Sequence, residues 1–97
     1  MPDERIKVIV EQLATQDVYD VAERFGVKIV YQWWFPVTFG EYDSRRRTIC
    51  VNLNADEKRE KIIAHELGHF FAANFKLDKI EEEIFAREFA ARFGEFH

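Results

Sequence analysis

His65, Glu66 and His69 form the pattern H-E-x-x-H inside a stretch, 56–75, whose apolar residues otherwise recur at helical spacing. Residues four apart on an α-helix lie on one face, a turn apart, so both imidazoles can reach a single ion. Glu66 then stands beside that ion, where its carboxylate can take a proton from bound water. Neutral imidazole suits zinc, and this arrangement on a helix is that of zinc-dependent hydrolases. Two histidines do not complete such a site, so a third protein ligand is expected.

The long-spaced pattern H-E-x-x-H-x-x-G-x-x-H is excluded, because Ala72 and Phe75 stand where it needs glycine and histidine. His97 is the only other histidine; as the last residue it is not expected to ligate. The carboxylates of Glu81-Glu82-Glu83 remain. His69 precedes the expected end of its helix by about six residues, and Glu83 follows the start of the next by about five, roughly 9 Å and 8 Å along the two axes. An antiparallel hairpin would therefore bring them to similar heights. On a helical wheel Glu81 points to the polar side, Glu82 falls in the middle of the Phe85, Ala86, Phe89 and Phe93 face, and Glu83 lies at its edge near Ala90. Periodicity by itself favours Glu82 and leaves Glu83 open.

The elements that must position these residues follow from the pattern. Ile6, Ile9, Val10 and Leu13 predict a first helix over 3–14, and Val18, Val21, Ala22 and Phe25 a second, with Thr15 as its N-cap and Gly26 just past its end. Residues 27–31 alternate as a strand. Residues 32–37, with Trp33, Trp34 and Pro36, are expected to be a loop. Two strands, 39–42 and 48–53, flank a hairpin turn at 43–46. Asn54 with Glu57 resembles a capping box for the motif helix, and Asp78 with Glu81 a second box for a last helix ending near Phe93 and Gly94. The order is ααβββαα, an α+β fold in which a three-stranded sheet packs on the H-E-x-x-H helix and a C-terminal helix.

A chain of 97 residues is expected to make a single domain, 1–97. Ten Phe in so short a chain are an efficient filling for a small core, and most of the aromatics need no other role. Trp33 and Trp34 suit loop anchoring as well as a binding patch, and Tyr31 and Tyr42 receive no role. The net charge of −4 argues against direct nucleic-acid binding. Arg45-Arg46-Arg47 reads as a solvated hairpin tip. No apolar run approaches a membrane span, no signal peptide is visible, and the single Cys50 reads as a buried thiol in a strand. A cytoplasmic protein is expected.

Residues 62–71, IIAHELGHFF, resemble the A-H-E-L-G-H helix of the ImmA/IrrE-type zinc metallopeptidases. Residues 22–31 (AERFGVKIVY) are similar to that family's leading helix and first strand. Residues 40–54 are similar to its glycine-led hairpin, and 83–90 (EIFAREFA) to its E-x-x-A-x-x-F-A segment. The likeness spans 15–93.

The resemblance implies a small zincin-like, gluzincin-type domain. Zn²⁺ would be held by His65, His69 and Glu83, the glutamate three residues before Ala86, with Glu66 as general base. It implies peptide-bond hydrolysis on a protein or peptide partner, such as a transcriptional repressor. Two departures stand out. Arg87 occupies the family's usual asparagine position, and the chain ends at Gly94-Glu95-Phe96-His97 where many members continue, so a reduced substrate-binding region is expected. The alternative reading is a zinc-binding regulatory or interaction module with little protease activity.

Overall fold

Helical spacing places Ile6, Val10 and Leu13 on one side of α1 (Glu4–Leu13), and all three are buried. In the computed structural model, which describes residues 3–33 and 39–94, Asp3 caps this helix by accepting the Arg5 N–H at 2.9 Å. α2 (Val18–Arg24) is capped by Asp17 rather than by Thr15. The Asp17 carboxylate accepts from the N–H groups of Tyr19 and Asp20, while Thr15 Oγ1 accepts the Asp17 N–H one step earlier. A charged acceptor at the positive end of the helix dipole outcompetes a hydroxyl. α2 closes with paired reversal bonds, Val27 N–H to the Ala22 carbonyl at 2.8 Å and Gly26 N–H to that of Glu23 at 3.2 Å. Gly26 makes this possible with φ +67°, and the chain turns straight into the sheet.

The strands are β1 (Lys28–Gln32), β2 (Gly40–Asp43) and β3 (Thr48–Asn52), in spatial order β1-β3-β2. β3 runs parallel to β1 and antiparallel to β2, so β2 is an edge. Asp43 accepts from the N–H groups of Arg45 and Arg46 to form the hairpin turn, whose arginines are exposed as expected. Along β3, Ile49 and Val51 point inward and are fully buried, while Cys50 faces the other side and is only half-buried. The buried thiol expected from sequence is therefore corrected to a half-buried one: period two sends Cys50 to the outer face. Of the expected loop at 32–37, Gln32 belongs to β1 and Trp33 is 73% exposed. Trp34 to Val37 lie outside the described residues, as does His97.

α3 (Arg59–Ala72) carries the motif and runs on into a short 3₁₀ turn, Ala73–Phe75. It starts later than the Asn54–Glu57 box suggests. The buried Asn52 folds the chain into a turn, accepting the Asn54 N–H on its side chain and the Ala55 N–H on its carbonyl, and the helix forms only after that turn. Lys76 is left-handed, φ 51°, and breaks the helix. The second box does form: Asp78 Oδ1 accepts the Glu81 N–H at 2.8 Å, and Glu81 Oε1 the Asp78 N–H at 3.3 Å, opening α4 (Lys79–Gly94). The order is thus ααβββαα, as the sequence predicts. Among the described residues no helix is long and apolar enough to cross a membrane.

α3 is the central layer. The sheet lies against it through β2 and β3, α4 packs antiparallel on it, and α1 packs on α4. Ile62, Ile63, Leu67 and Phe71 of α3 meet Phe85, Phe89 and Phe93 of α4 in one core, as the Phe-rich composition suggests. Two glycines set the spacing. A Cβ on Gly68 would stand 2.6 Å from Ala86 Cα and 2.9 Å from its carbonyl oxygen. A Cβ on Gly40 would stand 2.7 Å from Ile62 Cγ2 and 2.9 Å from the Cys50 carbonyl oxygen.

Gly68→Ala is expected to destabilise the fold, although alanine is the better helix former by about 1 kcal/mol. The clash is with backbone that no side-chain rotation relieves, and overpacking of this kind costs typically ~1–3 kcal/mol. Gly94→Ala, where a Cβ meets nothing within 4 Å, should leave stability unchanged or raised. Urea denaturation of the two variants measures the contrast.

Candidate metal centre

Burial on α3 is uneven around the motif. Glu66, Leu67 and Gly68 are buried, whereas His65 and His69 are partly open and point along the groove between α3 and α4. Their rings meet edge to face at 5.1 Å between centroids, the one-turn stagger expected of residues four apart. From α4, Glu83 reaches both: Oε1 lies 3.0 Å from His65 Nε2 and Oε2 lies 3.1 Å from His69 Nε2. One ligand atom from each of His65, His69 and Glu83 falls within 4.8 Å of the others.

Donor chemistry tests whether an ion fits. Bonds of roughly 2.0–2.1 Å in a tetrahedron place neighbouring donors about 3.3 Å apart, close to the imidazole–carboxylate distances seen. His69 adds a second argument. Its Nδ1 lies 2.8 Å from Glu82 Oε1, and a carboxylate only accepts, so Nδ1 carries the proton. In the neutral ring Nε2 then presents a lone pair to the Glu83 carboxylate, a contact that a cation between them turns from repulsive to binding. Two imidazoles and one carboxylate make three ligands and leave a fourth position open.

Glu83 is thus the carboxylate brought to both Nε2 atoms. Glu82 does face α3, as the helical wheel indicates, but it meets the far edge of the His69 ring. Glu81 is occupied by its cap. Arg87, one turn beyond Glu83, places Nε 3.4 Å from Glu83 Oε1 and lines the same cleft. Sequence reasoning assigned no role to Glu82 beyond the rival ligand. The signal was its wheel position directly over the motif helix.

The cluster sits between two open depressions. One of about 500 Å³ is bordered by Phe39, Gly40, Lys61, Glu83 and Arg87. The other, of about 440 Å³, is bordered by Glu41, Tyr42, Ser44 and Glu82. Glu66 and His69 line both, and β2 borders both. Tyr42 therefore reaches the cleft, its ring edge to face with Phe70 at 5.9 Å. Tyr31 sits on the opposite edge strand under the Arg59 guanidinium.

Burial dominates the electrostatics. It pushes the Glu66 carboxyl up to about 7, helped by the nearby charges of Glu83 and Glu41 and opposed by His69. Burial likewise holds His65 below its ordinary value, against the pull of Glu83.

A family model described as Peptidase_M78, IrrE N-terminal-like domain, matches residues 34–94. That span holds β2, β3, α3 and α4, and with them every residue of the cluster; the segment 22–31, also expected to resemble the family, lies outside it. No curated protein and no solved structure matches the chain.

The buried carboxyl predicts a pH dependence for metal-free protein. Because its folded pKa is raised, the stability Glu66 contributes is complete below about 4.5 and is lost as pH rises through about 7. His65 acts in the other direction, its share present above 6.5 and lost as pH falls. Glu66→Gln isolates the first effect. In chelator, its stability advantage over wild type should grow from near zero below pH 4.5 to roughly 3 kcal/mol above pH 7. Urea titrations across that range test this, and a difference that does not vary with pH would contradict it.

Proposed function

This chain belongs to the Peptidase_M78 family through its IrrE N-terminal-like domain, and we propose that it is a zinc-dependent metallopeptidase acting on a specific protein partner. The observation that carries this reading is the buried Glu66 carboxylate, held in one cleft with the convergent donors of His65, His69 and Glu83. A purely structural metal site has no use for a base beside it.

His65, His69 and Glu83 would hold the ion. Zinc bound there would supply an activated water and polarise the scissile carbonyl. Glu66 takes the proton from the attacking water as its oxygen bonds to the carbonyl carbon. It then delivers that proton to the amide nitrogen as the C–N bond breaks, leaving a carboxylic acid and an amine. A carboxylate beside the ion can do both the taking and the giving.

β2 supports the substrate side of the reading. Among the described residues it is an edge strand of the sheet, and it borders both depressions beside the cluster. A peptide added along it as a further strand would pass directly over the histidines. The partner class that the family resemblance supplies is a transcriptional repressor in the cytoplasm, a compartment that suits the unpaired Cys50.

Purified protein is expected to carry about one zinc per chain, lost in a His65→Ala, His69→Ala double variant. Metal analysis decides this; unchanged zinc in that variant would place the ion elsewhere.

Glu66→Gln should retain zinc and fold while cleavage of a partner protein falls on the order of 10²–10⁴-fold. Wild-type rates in that variant would remove Glu66 from the mechanism. Fully zinc-loaded wild type that binds but never cuts its partner would favour the regulatory-module reading instead.

A further inference from the structure

Three consecutive glutamates open α4, and the structure gives each a different task. Glu81 closes the capping box with Asp78. Glu83 faces the two Nε2 atoms. Glu82 lies between them in sequence, and its Oε1 is 2.8 Å from His69 Nδ1. We propose that Glu82 is a positioning residue for the metal centre, fixing the ring orientation and tautomer of His69 so that Nε2 is presented as a donor. This inference rests on the metal-site reading of His65, His69 and Glu83.

The geometry makes the assignment specific. Successive residues on a helix are about 100° apart, so Glu82 and Glu83 cannot point the same way. They straddle the line along which α4 touches α3, a line occupied one turn later by Ala86 against Gly68. Because the backbones meet so closely there, the two carboxylates reach past the contact on either side and take the His69 ring by its opposite edges. Glu83 holds the Nε2 edge and Glu82 the Nδ1 edge.

An imidazole without a partner at Nδ1 is free to flip about χ2 and to move its proton to Nε2, and either change removes the lone pair from the site. A carboxylate at Nδ1 opposes both, since it accepts and cannot donate, and its charge raises the basicity of the distal nitrogen. Among the described residues, His65 meets a carboxylate only through Nε2, at Glu83. The two histidines are therefore unequal, with His69 the anchored one.

Outer partners of metal-bound histidines typically contribute about 10–100-fold in metal affinity. The test is zinc affinity, measured by competition with a chromophoric chelator, for wild type, Glu82→Ala, Glu82→Gln, Glu81→Ala and Glu83→Ala, alongside thermal melts of each metal-free protein. Glu82→Ala should bind zinc 10–100-fold more weakly while its metal-free melt matches wild type, because the side chain is partly exposed and fills no core space. Glu82→Gln keeps an acceptor oxygen and should recover most of the loss. Glu81→Ala should leave zinc affinity alone, and Glu83→Ala should lose more than Glu82→Ala.

Introducing Glu82→Ala into a His69→Ala background should produce no further weakening, which a general electrostatic role would not reproduce. Several results would overturn the proposal. These are a Glu82→Ala affinity within twofold of wild type, a loss equal to that of Glu83→Ala (which would make Glu82 a ligand), or a lowered metal-free melt (which would make it structural). Wild type that takes up no zinc would overturn the metal reading itself and this inference with it.

Discussion

The Gly68–Ala86 contact sets how close α3 and α4 can come, and the candidate centre exists only at that separation. Both helices are buried along the same line, with Leu67, Phe71, Phe85 and Phe89 filling the space around it. A carboxylate spans only a few ångströms from its own backbone, so a wider crossing would carry Glu83 out of reach of the histidines. The missing Cβ at Gly68 is thus a condition for the polar site, although it touches none of the polar atoms. Gly40 does the same on the other face, letting β2 lie against α3 next to the cleft.

That arrangement explains why the sequence was readable where it was. Histidines four apart, the E-x-x-A spacing and the Asp78–Glu81 cap are local statements about a helix, and each reappears in the structure as expected. The choice between Glu82 and Glu83 was not local. A helical wheel reports which residues face a neighbour, and Glu82 does face α3, but it cannot report which edge of an imidazole a side chain meets. The family resemblance, which points to the glutamate three residues before Ala86, names the carboxylate that the structure brings to both Nε2 atoms.

Other misses have similar causes. Asn54 and Glu57 have the right types for a capping box, but the buried Asn52 had already committed the backbone to a turn. Thr15 lost its cap to Asp17, two residues on, because both are competent acceptors and charge decides between them. The parallel pairing of β1 with β3, across the intervening hairpin, carries no signature in either strand. Burial of Glu66 is likewise invisible to a motif, yet it gives the residue its raised pKa.

His65, Glu66, His69, Glu82 and Glu83 lie close together in sequence, on two helices joined by a short connection. Closing so small a loop costs little chain entropy, so these residues are brought together at a small entropic cost. An ion held there would act as a clasp on the helical hairpin in particular. Its binding energy would be spent against local opening of α4 from α3 before it was felt in global unfolding. Metal occupancy would then be written most clearly in the amide-exchange protection of these two helices, and only faintly in that of β1 and α2.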